Sequence, residues 1–285
     1  MVDTPNYIRE LNGWGQRVDR LREDPEEFLY ALTTELNRLG LEIGIATTCI
    51  RTPHPQLDML VIRWRPLAVA EVPTTTTQSI LGQRTIKRAD GVQDVYPLMH
   101  GHTDEEMWRS SPFHHAIETK AALRIPLEPP PQQEQFPIVN DLVMRRMTDY
   151  LVVPLQSADK VTVVLSIATL RPGGFPKEFL QAFDAFLPVL SLSVAYKVER
   201  IQFQQVLSAY IGQEPAHRVL QGQIRCGDLV RKHSALGFAD LRGFTAASQK
   251  LDTHQFLDLI STFFQHVHDS ISAEGGEILK FMGDG

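Results

Sequence analysis

The sequence predicts an α+β protein in two parts: a larger N-terminal part built around an antiparallel sheet, and a smaller α/β part at the C-terminal end. Three observations support this prediction. Two pairs of strand-like runs are each joined by a short polar turn. An apolar-periodic segment then runs from about 176 to 211, and a strand–helix–strand pattern occupies 235–285.

The composition favours a folded protein and excludes some partners. The chain has 285 residues, 43% hydrophobic and 22% charged, which is enough for two domains with buried cores. A net charge of -6 offers no basic surface for nucleic acid or for anionic membranes. There is no run of about 18 apolar residues and no signal-peptide pattern. We therefore expect a cytoplasmic protein with no membrane span and no nucleic-acid partner.

The first elements are a helix and a strand pair. Apolar residues recur at helical spacing from Pro25 to Leu39, and Gly40 follows as a stop signal. Two short runs that contain β-branched residues come next, Glu42–Arg51 and Leu57–Trp64, separated by turn residues. They predict an antiparallel pair. The two cysteines, Cys49 and Cys226, lack metal-ligand spacing and are expected to be reduced thiols.

The middle of the chain is less regular. Residues 66–110 carry no clear pattern. Ser111–Glu118 predicts a short helix, Leu123–Leu127 a strand and Phe136–Met147 a further helix. Tyr150–Gln156 and Val161–Leu170 flank a polar turn and predict a central hairpin.

A long helix is predicted from Pro176 to Ile211. Its apolar stripe consists of Leu180, Phe183, Leu187, Leu190, Val194, Val198 and Ile201. We expect this stripe to pair two copies of the chain as a signalling helix, or coiled coil, in a parallel homodimer. The alternative is a core helix packed on the sheet. Pro188 would kink the helix or shift its start.

This order of elements resembles a GAF-type sensor domain over 25–175. The segments Ser-Pro-Phe-His-His-Ala-Ile-Glu at 111–118, Thr-Asp-Tyr-Leu-Val-Val-Pro-Leu at 148–155 and Ala-Thr-Leu-Arg-Pro-Gly-Gly-Phe at 168–175 are similar to sensor regions that precede some bacterial adenylate cyclases. The resemblance implies an antiparallel sheet but no particular sensor ligand, because such folds accept many ligands. His100, His102, His114 and His115 are candidate haem or metal ligands, although such histidines in a polar loop are more often solvated.

Residues 238–245 carry the chemistry of the C-terminal part. A predicted strand over 235–240 ends in Asp240, whose carboxylate can face a ligand. Gly243 allows a close turn, so that neighbouring amides can point at phosphate oxygens. A carboxylate beside an anion-binding turn suits a metal-bound nucleotide.

A capped helix and a second strand follow. Asp252 and Gln255 have the spacing of a capping box, and Gly275-Gly276 marks the helix end. The inner face of this helix is predicted to consist of Phe256, Leu257, Ile260, Phe263, Phe264, Val267 and Ile271. Glu277–Met282 predicts a strand, and a tight turn at 283–285 supplies a second carboxylate.

Phe-Ala-Asp-Leu-Arg-Gly-Phe-Thr at 238–245 and Glu-Ile-Leu-Lys-Phe-Met-Gly-Asp-Gly at 277–285, with the helix between them, resemble class III adenylate and guanylate cyclases. The resemblance implies a partial ferredoxin-like α/β domain. It also implies that Asp240, Asp284 and the Leu241 carbonyl hold two Mg²⁺ or Mn²⁺ ions. These ions would activate the ribose 3′-hydroxyl and stabilise the departing pyrophosphate.

The resemblance also assigns substrate contacts. Lys280 matches the purine-contacting position of adenylate cyclases, so ATP is the expected substrate. The loop Arg242–Thr245, comprising Arg242, Gly243, Phe244 and Thr245, would contact the phosphates. The residues that complete the site in the family would follow Gly285, so the chain as given is expected to be inactive alone.

Five segments are therefore predicted: an N-terminal helical extension at 1–24, the GAF-like sensor at 25–175, the signalling helix at 176–211, a transducer element at 212–232 and the incomplete catalytic domain at 233–285. The expected parent protein is a homodimeric, sensor-regulated adenylate cyclase that converts ATP to 3′,5′-cyclic AMP and pyrophosphate. The alternative is a noncatalytic dimeric sensor of a small ligand with a vestigial cyclase remnant.

Overall fold

The computed structural model describes residues 6–16, 24–52, 57–70, 83–99, 101, 106–132, 136–157, 160–223, 225, 233–276 and 278. Contacts divide the chain into two units, Met1–Gln202 and Phe203–Gly285. The strands are β1 Ile43–Arg51, β2 Leu57–Pro66, β3 Arg84–Lys87, β4 Gly91–Met99, β5 Leu123–Pro126, β6 Asp149–Ser157 and β7 Lys160–Thr169. The helices are α1 Tyr7–Gly15, α2 Pro25–Arg38, α3 Leu67–Ala70, α4 Glu106–Arg109, α5 Pro112–Thr119, α6 Ile138–Met144, α7 Lys177–Ile211, α8 Gln213–Leu220, α9 Phe244–Lys250 and α10 Thr253–Ala273.

The two predicted strand pairs form the centre of one seven-stranded sheet in the order β3-β4-β2-β1-β7-β6-β5. β1 pairs antiparallel with β2, and β6 with β7, which confirms both predicted pairs. β1 also pairs antiparallel with β7, so the two pairs join into a continuous sheet. The first unit thus has the predicted GAF-like arrangement of an antiparallel sheet followed by a long helix.

The edge strand β3 and its neighbour β4 lie within residues 66–110, for which no clear pattern predicted an element. β4 buries Gln93 and Asp94, which breaks the apolar alternation that would have identified a strand. The Gln93 amide donates to the Glu26 carbonyl at 2.8 Å, and the Thr85 hydroxyl donates to Asp94 at 2.7 Å. Arg65 also pairs with Asp94. These partners offset the cost of burying polar groups.

The two faces of the sheet carry separate clusters of buried apolar side chains. Along β6, Leu151 belongs to the first cluster and Tyr150 to the second, because successive strand residues point to opposite faces. The first cluster packs against α1, α2 and α7, and it includes the stacked rings of Phe179 and Phe183, whose centroids are 5.3 Å apart. The second packs against α5 and α6.

The apolar stripe predicted on α7 faces the first unit's own sheet. Phe183, Leu190, Val194 and Val198 are buried in the first cluster, while Leu180, Leu187 and Ile201 are half-buried. The sheet and α2 cover these side chains within one chain, so the pairing of two copies through α7 stays a prediction. The alternative, a helix packed on the sheet, is correct for this face.

Pro188 does not end α7, which continues unbroken from Lys177 to Ile211. Proline removes one backbone donor and leaves the carbonyl four residues earlier, that of Asp184, without its helical partner. Both residues are exposed, so water can satisfy that carbonyl.

Over Lys177–Ser208, α7 is also the one helix in the described part of the chain that is long and apolar enough to cross a membrane. Part of this apolar character is explained by its packing on the sheet, where Phe183, Leu190 and Val194 are buried.

Candidate functional site

The candidate site is the segment from Asp240 to Thr245 in the second unit. Residues 233–243 are irregular, and Phe238 is 89% exposed. The predicted strand over 235–240 is therefore wrong in this structure. A strand needs a neighbour for its backbone groups, and the described residues of the second unit form helices and irregular segments only. The predicted partner strand, 277–282, lies almost entirely outside the described residues.

The turn that follows Asp240 has the backbone geometry that its glycine suggested. Gly243 adopts a φ of 82°, in the left-handed region that favours glycine. The Phe244 amide donates to the Leu241 carbonyl at 3.3 Å. That carbonyl keeps a second lone pair, which can still bind a cation.

One hydrogen bond closes this turn into α9, and one ring contact holds it against α10. The Ala247 amide donates to the Gly243 carbonyl at 2.9 Å, which closes the first turn of α9. The Phe244 ring lies 5.2 Å from the Phe256 ring of α10, measured between centroids. The turn is therefore placed beside the first turns of α10. The sequence did not predict α9, because its seven residues contain only one large apolar side chain.

The capping box predicted for α10 is present. The Gln255 amide donates to the Asp252 carboxylate at 3.0 Å, and the Asp252 amide donates back to the Gln255 side-chain oxygen at 3.4 Å. The helix ends at Ala273, just before the predicted stop signal Gly275-Gly276. Gly275 has a φ of 72°, and the Gly276 amide donates to the Ile271 carbonyl at 2.9 Å.

The apolar face of α10 is only partly covered. Phe256, Ile260, Phe263, Phe264, Val267 and Ile271 are half-buried. Leu257 is 53% exposed. An amphipathic helix of this length normally buries its apolar stripe against a sheet or another helix. The described part of the second unit supplies no such sheet, so this face is available for further packing.

The structure describes the predicted site residues from Asp240 to Thr245, but not Lys280 and Asp284. Asp240, Arg242, Gly243 and Thr245 are exposed, and Leu241 and Phe244 are half-buried. Asp284 and Lys280 lie outside the described residues, so the approach of the two acids stays a prediction. Asp240 and the Leu241 carbonyl are hard oxygen donors, the type that Mg²⁺ and Mn²⁺ prefer.

Within the described ranges, no group of three His, Cys, Asp or Glu side chains is close enough together to hold a metal ion. His114 and His115 lie in α5 and are half-buried. The His115 ring packs 5.7 Å from the Phe136 ring, as a core side chain would. His100 and His102 lie outside the described residues.

Sequence reasoning missed a buried carboxylate at the base of α7. Asp149 accepts hydrogen bonds from the Arg124 guanidinium at 2.7 Å and from the Phe175 amide at 3.0 Å. Its side chain is only 1% exposed. Gly174 makes this approach possible, since a Cβ there would lie 2.7 Å from Asp149 Oδ2. Asp149 thereby ties β5 and β6 to the turn from which α7 starts.

The second face of the sheet buries groups that resist ionisation. Burial raises the pKa of Tyr150 to about 12 and the pKa of Cys49 to about 12. Arg145 is also buried there, and it donates to the Asp141 carboxylate at 2.8 Å and to the Val69 carbonyl at 3.1 Å. These groups do not identify a sensor ligand.

Comparison with curated proteins finds short similarities to cyclases. No protein-family model matches the chain. An adenylate cyclase of Streptomyces coelicolor is 34% identical over 64 residues, 21% of this chain and 17% of that enzyme. The terminal-differentiation-specific adenylate cyclase of Dictyostelium discoideum is 33% identical over 92 residues, 32% of this chain and 4% of that protein. An uncharacterised protein of Mycobacterium tuberculosis is 47% identical over 49 residues, 17% of this chain and 13% of that protein. The chain thus spans less than a fifth of each relative.

Solved structures similar to the chain include GAF domains. The GAF domain of a phosphoenolpyruvate-protein phosphotransferase from Coxiella burnetii is 12% identical with a TM-score of 0.42, and the match covers 70% of this chain and 98% of that one. The GAF domain of a sensor histidine kinase from Bacillus halodurans is 13% identical with a TM-score of 0.38, covering 63% and 96%. Similarity at this level says nothing about a ligand.

Proposed function

We propose that this chain is the sensor and the opening catalytic segment of an adenylate cyclase that converts ATP to 3′,5′-cyclic AMP and pyrophosphate. The observation that supports this most is the turn at Asp240–Gly243, held beside a helix with the predicted capping box. The residues of this turn are those that resemble class III cyclases. The short matches to two adenylate cyclases agree with the proposal.

The metal-binding role falls to three groups of this chain. The carboxylates of Asp240 and Asp284 and the carbonyl of Leu241 would hold two Mg²⁺ or Mn²⁺ ions. When bound, such ions lower the pKa of the attacking ribose hydroxyl and neutralise charge on the departing pyrophosphate. Asp240 is exposed, so its oxygens are free to meet a cation.

The remaining residues would position ATP. Backbone amides of Gly243 and Thr245, with the Arg242 side chain, would bind the phosphates, while the Phe244 amide, which donates to the Leu241 carbonyl, shapes the loop around them. The Lys280 ammonium would donate to a ring nitrogen of adenine, and it is mismatched to the N–H donor of guanine. This selects ATP over GTP.

Regulation would pass from the sensor through α7 to paired catalytic segments in a homodimer. Asp149 connects the strands β5 and β6 to the start of α7. A change in the sensor sheet therefore has a direct physical route to the helix. The helix would then shift the population of two dimer arrangements.

The test uses the complete gene product that contains this chain, assayed for cyclic AMP production with Mn²⁺-ATP. Asp240→Ala and Asp284→Ala should each lower turnover by about a hundredfold or more, because each removes a metal ligand. Asp258→Ala is the matched control, since Asp258 is an exposed acid of α10 outside the site. Its turnover should equal that of the unaltered protein.

Two results would contradict the proposal. If Asp240→Ala and Asp284→Ala produced cyclic AMP as fast as the control Asp258→Ala, neither Asp240 nor Asp284 would be a metal ligand. A complete, folded gene product without cyclase activity would instead support a noncatalytic dimeric sensor with a small ligand.

A further inference from the structure

A small cavity lies between the first face of the sheet, the start of α2 and the second half of α7. Its volume is about 20 Å³, which is room for one guest of about the size of a water molecule. Apolar side chains of β1, β6, β7 and α7 form most of its wall. Two polar side chains, Thr48 and Lys197, interrupt this wall, and none of the described residues that line the cavity is acidic.

Thr48 presents a buried hydroxyl to this cavity. The residue is 4% exposed, and its Oγ1 has no hydrogen-bond partner in the described part of the chain. Its cross-strand neighbours, Ile62 on β2 and Leu165 on β7, are apolar and cannot supply one. A buried hydroxyl without a partner lowers stability, so a guest that bonds to it is favoured.

Lys197 brings a positive charge to the wall of the cavity. The residue is 6% exposed, and its Nζ lies 5.1 Å from the centre of the Phe28 ring. Phe28 belongs to the first turn of α2, so the ammonium lies near the amino-terminal end of that helix, which carries a partial positive charge. The acidic side chains of the same turn, Glu26 and Glu27, are each paired with an arginine.

The polar groups of the cavity favour a guest that accepts hydrogen bonds. The ammonium of Lys197 has donors and no acceptor, and the hydroxyl of Thr48 can donate as well. A water molecule would need acceptors for its own hydrogens, and the apolar part of the wall offers none. A monatomic anion is an acceptor only, and both the ammonium and the end of α2 attract it.

We infer that this cavity binds one small monovalent anion of about the size of chloride, held by the Thr48 hydroxyl and the Lys197 ammonium beside the start of α2. The bound anion joins β1 to α7 and thereby strengthens the packing of α7 on the sheet. Dehydration of the anion offsets much of this attraction, so we expect weak, saturable binding. The inference does not depend on the proposed cyclase activity.

Bromide locates the guest directly, because it is a close analogue of chloride with a measurable anomalous signal. Crystals of the full 285-residue chain are soaked in sodium bromide, and diffraction is recorded at the bromine absorption edge. We expect an anomalous peak in the cavity, within hydrogen-bond distance of Thr48 Oγ1 and Lys197 Nζ. Water density, or no density, in place of that peak would overturn the inference.

Chloride should also stabilise the first unit in solution. Urea unfolding is followed by tryptophan fluorescence while sodium chloride replaces sodium gluconate at constant ionic strength, since gluconate is too large for the cavity. The ratio of folded to unfolded chain should rise with chloride by the factor 1 + [Cl⁻]/Kd, about elevenfold at ten times Kd. A ratio that does not depend on chloride would contradict the inference.

Two variants assign this response to the cavity. Thr48→Val and Lys197→Met should each lose most of it, because each removes a donor to the anion. Lys177→Met is the matched control, since Lys177 is an exposed lysine of the same helix, and it should keep the full response. An equal response to chloride in all four proteins would place the anion elsewhere and overturn the inference.

Thr48→Val makes a second prediction that holds even if Lys197→Met does not fold. In gluconate this variant should be at least as stable as the unaltered chain, because it removes a buried hydroxyl without a partner. In chloride it should be less stable, because it also removes the bond to the anion. The same order of stability in both salts would contradict the site. None of these measurements uses a nucleotide, so they separate this inference from the proposed catalytic function.

Discussion

At the scale of single residues, Asp149 is the carboxylate on which the start of α7 depends. Asp149→Asn removes the charge that faces Arg124 and presents a donor to the Phe175 amide. Leaving the buried Phe175 amide without its acceptor costs about 1–3 kcal/mol of unfolding free energy, and the lost pair with Arg124 adds little because that side chain is 41% exposed and screened by water. All three tryptophans, Trp14, Trp64 and Trp108, lie in the first unit, so fluorescence during urea unfolding reports on that unit.

The matched control for this variant is Asp184→Asn. Asp184 is an exposed acid of α7, and its substitution should change the unfolding free energy by less than about 0.5 kcal/mol. If Asp149→Asn lowered the unfolding free energy no more than Asp184→Asn does, Asp149 would not be the residue that anchors the start of α7.

Alkaline pH should destabilise the first unit through two buried groups. Burial raises the pKa of Cys49 from 9.0, and that of Tyr150 from 10.0, to about 12 in each case. The folded state therefore keeps protons that the unfolded chain releases as pH rises. Stability is fully present below the unfolded pKa values and falls as pH rises from 9.0 to about 12.

Tyr150→Phe removes one of these two groups. Its unfolding free energy should fall less steeply between pH 10.0 and about 12 than that of the unaltered chain. Tyr196→Phe is the control, because that ring is 52% exposed. Identical slopes for the unaltered chain and Tyr150→Phe would show that the buried hydroxyl does not resist ionisation.

At the scale of elements, the capping box makes a local prediction. Asp252→Ala removes the acceptor of the Gln255 amide and should destabilise the first turn of α10 by about 1 kcal/mol. Hydrogen exchange at the Gln255 amide should become faster, whereas Asp258→Ala in the same helix should leave it unchanged. Unaltered exchange in Asp252→Ala would mean that the cap does not stabilise this helix.

Elements with strong local signals could be predicted from the sequence. The hairpin of β6 and β7 and the helices α2, α7 and α10 all carry clear periodicity, turn residues or caps. β3 and β4 could not be predicted, because β3 is four residues long and β4 buries polar side chains that find partners far along the chain.

The stripe on α7 shows what apolar spacing in a sequence cannot predict. Its apolar spacing predicted a helix, and that was correct. Spacing alone cannot say which surface covers the stripe, since a sheet and a second helix bury the same kind of face. The burial of Phe183, Leu190 and Val194 in the first cluster supplies the missing information.

The candidate site was predictable only where its signals are local. The left-handed conformation of Gly243 and the Asp252 cap follow from residue type and spacing. A strand at 235–240 depends on a distant partner, and the described second unit does not provide one. The meeting of Asp240 with Asp284 depends on the same long-range pairing, so it stays a prediction.

At the scale of the whole molecule, the central claim is that two acids far apart in the sequence share a pair of divalent cations. The most direct test is a crystal structure of the complete gene product with Mn²⁺ and a non-hydrolysable ATP analogue, with the metals located by anomalous scattering. We expect Mn²⁺ within about 2.5 Å of carboxylate oxygens of both Asp240 and Asp284. Carboxylates that point apart, with no cation between them, would contradict it.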